Sequence, residues 1–444
     1  MSISWRAGLL TALGAIPVIF FPNLGVAWAW VAGVIGCVLL DVALAFSPRD
    51  LTIERSVTGP VRANDETVSS LTIGHSSRHS LLLEIRDAWP PSFHPLPSRH
   101  RLVVHPGETT TVETRLRPER RGTHRGGPVT VRVWGPLRLG ARQVSFEVPL
   151  ALSVLPEFRS RVLLPSRLHR LHELEGTSAT VLRGPGTEFD SLREYVRGDD
   201  PRDIDWRASA RSDDLIVRTW RPERDRHIVI VVDSGRMGAS LLGAPTVDQD
   251  PDRIPLGTAP RLDASIEAAL LLGALGDRAG DHVHLLVIDR EVRARVSGIR
   301  GAGLLRASAS ALVDVSPRLD PIDWGLVVSE VNQTVRHSSL VVLMTEVAPA
   351  GTDSDFFEAT AQLAAKHRVV IAAATDPDLD RARRSLDDSE EVMIAAAAAQ
   401  TLRAVDAGIA DARRTGAHVV AVDSGLLAAR TADAYLALKK AGEV

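Results

Sequence analysis

The sequence predicts a multidomain chain: two N-terminal transmembrane helices, an all-β sandwich, then a doubly wound α/β domain. Three observations predict it. The first 46 residues form two apolar runs joined by a turn. Residues 50–155 alternate apolar and polar side chains in short runs, and from residue 227 apolar strands alternate with amphipathic helical stretches. The boundaries read as 1–49 (membrane hairpin), 50–155 (sandwich), 156–226 (a charged linker) and 227–444 (α/β domain).

A chain of 444 residues has room for two or three domains. A net charge of -3 and a pI near 6.5 provide no general attraction for nucleic acid, so no nucleic-acid partner is expected. The single cysteine, Cys37, lies in an apolar run and excludes intrachain disulfides and cysteine metal sites. Lysine occurs only at positions 366, 439 and 440. This arginine and alanine bias points to a GC-rich bacterial genome.

The membrane hairpin comes first. Ile3 to Phe21 is apolar apart from Ser4, Arg6 and Thr11, and Leu24 to Phe46 is apolar apart from Asp41. Each approaches the ~20 residues that cross hydrocarbon. Pro22-Asn23-Leu24-Gly25 between them has turn chemistry. A cleaved signal peptide would use Arg6 as its basic region, but the continuous second span argues against removal. Arg6 before the first span, and Arg49, Arg55 and Arg62 after the second, place both ends in the cytoplasm by the positive-inside rule. The expected location is the inner (cytoplasmic) membrane, with the bulk of the chain on the cytoplasmic side. Asp41 is then expected near the cytoplasmic end, within reach of water or headgroups. Trp28 and Trp30 suit the opposite interface.

The sandwich follows from segments such as LTIERSV, SLLLEIRD, TTTVETRLRP and PVTVRVWGP. Their period of two and regular Gly/Pro/Asn breaks match an immunoglobulin-like two-sheet core. Leu82, Ile85, Val103, Val112, Val131 and Val133 are expected to fill it. The Arg-rich stretch with Arg115, Arg117, Arg120, Arg121 and Arg125 reads as a solvated edge that blocks stray pairing. Contact with anionic lipid or an acidic partner is the weaker reading.

The α/β domain opens with HIVIVVD, His227 to Asp233, a buried parallel strand. Helices are expected at 262–280, near 301–313, near 323–336, at DFFEATAQLAAKH, over about 388–415 and at LAARTADAYLALKKAG, with strands between them. Such folds place ligands at the carboxyl ends of strands. Asp233, Asp289, Thr345, Glu346, Thr375, Asp376 and Asp423 fall there. No Gly-x-Gly-x-x-Gly follows the first strand and no Walker A sequence is present, so no nucleotide site is expected.

The densest signal is RGPGTEFDSLREYVRGDDPRDIDW, Arg183 to Trp206. Phe189, Leu192 and Tyr195-Val196 recur at helical spacing, which predicts a short helix stopped by Gly198 and Pro201. Asp199, Asp200, Asp203 and Asp205 interleave with Arg193, Arg197 and Arg202, whose forks suit carboxylates. Ile204 and Trp206 are apolar anchors. Three uses compete: an ion-pair latch onto the α/β domain, a recognition surface of Arg, Tyr and Trp, and an active site with Glu188, Asp199 or Asp205 as acid or base. The motif has no His or Ser with a partner, which favours the first two.

Two resemblances rest on these residues. The strand ending in Asp233 resembles the von Willebrand A domain, whose metal motif is Asp-x-Ser-x-Ser. Here the two serine positions are Gly235 and Met237, and the family's later acid corresponds to Glu346. The resemblance implies a Mg²⁺-type site at Asp233 and Glu346 that is degenerate, with Arg236 a stand-in for the cation. No cofactor is required. The second resemblance spans nearly the whole chain. Glu188, Phe189, Leu192, Arg193, Tyr195, Gly198, Asp199, Arg202, Ile204 and Trp206 match the signature of the bacterial domain of unknown function 58. Arg120-Arg121-Gly122 also matches, while Trp134-Gly135-Pro136-Leu137 departs from the family's usual element. That family implies a membrane-anchored, non-enzymatic adaptor whose partner is a MoxR-type AAA+ ATPase, acting in assembly or chaperoning of envelope complexes. A metal-dependent adhesion module and a hydrolase are the alternatives.

Overall fold

A computed structural model describes residues 2–76, 78–178, 188–196, 199–212, 214–221, 226–243, 259–347, 349 and 351–444. The chain divides into two units, Met1–Glu157 and Phe158–Val444.

The first unit begins with strand β1 (Ser2–Ile3) and helices α1 (Trp5–Leu13), α2 (Ala15–Phe20) and α3 (Leu24–Leu44). Asn23 caps α3 through its side chain, as the turn composition leads one to expect. Leu24–Asp50 is long and apolar enough to cross a membrane, while Trp5–Phe20 is a shorter apolar helix broken near Gly14. The break accommodates Trp30, whose indole donates to the Leu10 carbonyl at 3.0 Å and stands where a β-carbon on Gly14 would lie.

The sandwich strands are β2 (Leu51–Val57), β3 (Val61–Arg62), β4 (Thr67–His75), β5 (Leu81–Asp87), β6 (His100–Val104), β7 (Thr110–Leu116), β8 (Gly122–Arg125), β9 (Val129–Trp134), β10 (Gly140–Phe146) and β11 (Ala151–Leu155). They form sheets ordered β1-β10-β9-β5-β6, β2-β4-β7 and β3-β11-β8. Ile85, Val131 and Val133 fill the core as expected, with Leu71, Ile73 and Leu83. Val103 is a correction: it is 48% exposed, and its cross-strand partner Leu82 is also outside the core, while Leu81, Leu83 and Val104 point inward. A run of three leucines has no readable phase; pairing sets it.

Three charges also depart from expectation. Asp41 is fully buried rather than at water, its carboxylate accepting the N–H groups of Leu137 and Leu139 at 2.7 Å and Gly140 at 2.9 Å. It ties the end of α3 to the β9–β10 turn. A β-carbon at Gly135 would collide with Asp41, and one at Gly140 with Val42. Arg142 completes the junction by donating to the last carbonyls of α3, at Val42 and Ala43. Arg55 belongs to no membrane flank. It is buried, donating to Asp87 at 2.5 Å, and Ser69 and Trp89 hold the second oxygen of that carboxylate. Within the Arg-rich stretch, Arg121 is not a solvated edge residue: burial lowers its pKa to about 10.

The second unit contains α4 (Leu164–Ser178), β12 (Glu188–Glu194), α5 (Trp206–Ser209), β13 (Ile216–Arg221), β14 (His227–Asp233), β15 (Leu241–Leu242), β16 (Ala259–Pro260), α6 (Arg261–Arg278), β17 (His282–Ile288), β18 (Val292–Val296), α7 (Ala302–Ala311), α8 (Trp324–Thr334), β19 (Leu340–Met344), α9 (Ser354–Ala364), β20 (Arg368–Thr375), α10 (Pro377–Arg384), α11 (Ser389–Arg414), β21 (His418–Asp423) and α12 (Leu427–Lys440). The main sheet runs β18-β17-β14-β19-β20-β21, parallel except for the antiparallel edge strand β18. Alternate residues of β14 feed opposite faces. Ile228, Ile230 and Val232 pack with α6 and α12, while Val229 and Val231 pack with α8 and α9. Phe158, Leu163 and Leu171, from the stretch read as linker, belong to the first of these cores. Ser389–Arg414 also has the length and apolar composition of a span, although it carries Arg403 and Asp406 and packs on β21.

Candidate functional site

The signature forms a hairpin, not a helix. β12 pairs antiparallel with β13, setting Leu192 opposite Arg218 and Arg193 opposite Val217, with a bulge between Phe189 and Ser191. The 3.6-period spacing of Phe189, Leu192 and Tyr195 is overridden by a strand partner more than twenty residues away. Tyr195 continues the pairing by donating its backbone N–H to Leu215. Gly184, Pro185, Gly186, Arg197 and Gly198 lie outside the described residues, as do the side chains of Glu188 and Phe189.

The acids of the motif build its turns. Asp199 accepts both Arg193 guanidinium nitrogens at 2.7 and 2.6 Å, and the Val196 N–H at 2.9 Å. Asp200 caps the turn at Pro201–Asp203 through the N–H of Arg202. Asp205 caps α5 through the N–H groups of Arg207 and Ala208, and its second oxygen accepts from Arg218 at 2.8 Å. The Ala208 N–H and the Arg218 guanidinium hold the Asp205 carboxyl below the usual carboxylate range. Ile204 bridges to Val217, which is buried. Ser209, missed at the sequence level, donates to the Asp205 carbonyl and accepts the Ile216 N–H.

Of the two residues expected as anchors, Trp206 faces outward, while Ile204 is half-buried beside Val217. Trp206 is 68% exposed and Val196 62%, and Leu192 and Leu215 are exposed too. The ion pairs Arg193–Asp199 and Arg218–Asp205 close within the β12–β13 hairpin. The hairpin is thus a self-braced scaffold carrying exposed apolar side chains and the exposed arginines Arg202, Arg207 and Arg211.

The second cluster sits at the carboxyl ends of β14, β17 and β19, where the strand order reverses. Asp233 is buried, accepting from the Thr345 hydroxyl at 2.6 Å and the Gly235 N–H at 2.8 Å. Burial pushes its carboxyl up, with Asp289 acting in the same direction and Arg261 against it. The nearby cation is Arg261, which opens α6 and is buried; Arg236, the expected stand-in, is exposed. Arg261 pairs with Glu346 and donates to the carbonyls of Met237 and Ala374. Asp233 and Glu346 therefore share one end of the sheet, but both Asp233 oxygens and one Glu346 oxygen are engaged by protein donors. No group of three or more His, Cys, Asp or Glu side chains is arranged to hold a metal ion among the described residues. Arg261 carried no motif; only its position after Pro260 at a helix start marked it.

A family model described as "Protein of unknown function DUF58" matches residues 191–422, more than half of the chain. No curated protein matches. Among solved structures, the human seminal-plasma complex of Zinc 2-glycoprotein and Prolactin inducible protein aligns with 14% identity, over 23% of this chain and 92% of that one, at a TM-score of 0.18. Beta-glucuronidase 2 of Bacteroides uniformis aligns with 8% identity, over 84% of this chain and 33% of that one, at a TM-score of 0.15. Neither score carries a structural argument.

Proposed function

We propose, starting from the fact that this chain belongs to the DUF58 family, that it is a membrane-anchored, non-enzymatic adaptor for a cytoplasmic MoxR-type AAA+ ATPase. The observation that carries the proposal is the signature hairpin. Asp199, Asp200 and Asp205 are engaged in holding its turns, while Leu192, Val196, Leu215 and Trp206 stand in solvent. Side chains of this kind, beside exposed arginines, suit a protein contact rather than acid–base chemistry. The ATPase supplies the energy, and the apolar hairpin Trp5–Leu44 supplies the anchor. On this reading the inner membrane holds the chain, with the sandwich and the second unit in the cytoplasm. Arg6 and the exposed Arg49 carry that orientation, since Arg55 is spent inside the sandwich.

A von Willebrand A-like identity for the α/β domain is supported by its strand order and by its antiparallel edge strand β18. The sandwich reads as immunoglobulin-like on its facing antiparallel sheets. A divalent cation at Asp233 and Glu346 is the weaker reading, because Arg261 already supplies a positive charge there. Hydrolysis by the motif acids is weaker still, with Asp199 and Asp205 ion-paired.

Capture from solubilised membranes tests the adaptor reading. The full chain is expected to retain an AAA+ ATPase encoded in its own genome, and Trp206→Ala to reduce retention roughly tenfold or more. Equal retention by wild type and Trp206→Ala would move the contact off the hairpin. No ATPase in either would remove the adaptor.

A further inference from the structure

We propose that the first unit carries a binding site for the phosphate headgroup of an anionic phospholipid, at the foot of its membrane hairpin; this rests on the membrane reading above. A cavity of about 200 Å³ lies there, walled by Ser4, Trp5, Arg6, Arg101, Trp134 and Arg138. Its apolar floor is Leu82 and Leu83.

The chemistry of the lining selects the ligand. Three arginines and no acid line the cavity. The neighbouring acid is Glu84, which lies 3.8 Å from Arg101 but is also approached by Arg99 and Arg132 at 3.6 and 3.7 Å. One carboxylate shared among three guanidinium groups leaves positive charge over. The other nearby acid, Asp41, is fully taken by three backbone N–H groups. Guanidinium forks suit phosphate oxygens. Ser4 adds a hydroxyl whose oxygen is buried without a hydrogen-bond partner among the described residues.

Position and rigidity point to a lipid as the carrier of that phosphate. Trp5, 74% exposed, opens α1 directly beside the apolar hairpin, and tryptophan with arginine is the usual pairing at a membrane–water interface. Arg138 occupies a left-handed conformation, φ 58°, which costs a non-glycine residue and is held here by the turn that Asp41 grips. β1 pairs with Gly140 and Ala141 at the start of β10, and the Ser4 N–H donates to the Leu139 carbonyl, so Arg6 and Arg138 are brought together by backbone hydrogen bonds. The site is built before any ligand arrives.

The test uses the full chain in neutral detergent, with bound lipid read by native mass spectrometry. Dioleoyl phosphatidylglycerol, dioleoyl phosphatidylcholine and inorganic phosphate are offered separately. Wild type is expected to prefer phosphatidylglycerol. Arg6→Gln with Arg138→Gln is expected to lose most of that preference, at roughly fivefold per arginine, and Arg125→Gln to keep it. Arg138→Lys, which retains charge, checks that loss is not misfolding and is expected to keep part of the preference. Equal binding of the two lipids by wild type, or an unchanged preference in the double variant, overturns the proposal. So does inorganic phosphate bound without a lipid preference, which would make the site one for free phosphate. Carbonate extraction of membranes separates this from the anchor itself: a chain released by carbonate sinks the membrane reading, whereas a chain retained without lipid preference sinks only the headgroup site.

Discussion

Asp41 shows how one buried carboxylate joins two structures. Its two oxygens satisfy three backbone donors of a turn almost one hundred residues away. Asp41→Ala strands those donors in a buried place, so unfolding in detergent is expected to become easier by about 3–5 kcal/mol. A change under 1 kcal/mol would show that the turn holds without it. His284 provides a pH test. It lies within 3.0 Å of a His227 ring nitrogen, and burial, with both neighbouring imidazoles His227 and His282, pushes its pKa down to about 4. A depressed folded pKa contributes stability that is fully present above the ordinary histidine value of 6.5 and is lost as pH falls toward 4. Allowing for water near the ring, the loss is about 1–2 kcal/mol. Thermal melts of wild type should drop across that window, and those of His284→Leu should drop less. Parallel curves would contradict the assignment.

At the scale of elements, legibility followed the range of the forces involved. β14, β19 and β20 are near-continuous apolar runs, and α8 and α9 have one buried face, so local pattern located them. The signature hairpin was not legible in this way. Phe189, Leu192 and Tyr195 have helical spacing, while their actual partners, Ile216 to Arg221, are distant in sequence. The Arg55–Asp87 pair and the Arg261–Glu346 pair were hidden for the same reason. Nothing local in the sequence pairs them, and only the fold brings them together. Within the signature, Asp199 and Asp205 are turn-building partners of Arg193 and Arg218. An element-scale prediction follows from the exposure of Trp206: Trp206→Ala should leave the melting temperature within about 1–2 °C of wild type, because surface substitutions cost little. A large drop would mean the side chain is covered in the folded protein.

For the whole molecule, the strand-end cluster and the hairpin divide the work. The cluster around Asp233, Arg261 and Glu346 stabilises the α/β domain internally. Removing Arg261 leaves Glu346 without its buried partner, so Arg261→Ala is expected to cost about 3–5 kcal/mol of stability. Equilibrium denaturation of the chain checks this, and an unaltered midpoint would contradict it. Calorimetry with Mg²⁺, Mn²⁺ and Ca²⁺ is expected to show no binding by wild type; saturable heat abolished in Asp233→Ala would restore the cation reading. The adaptor claim depends on the hairpin alone. Its most direct test is site-specific photo-crosslinking from position 206 in native membranes. The account predicts a crosslinked band containing an AAA+ ATPase. A band containing only lipid or only this chain, with the ATPase recovered from a different position, would contradict it.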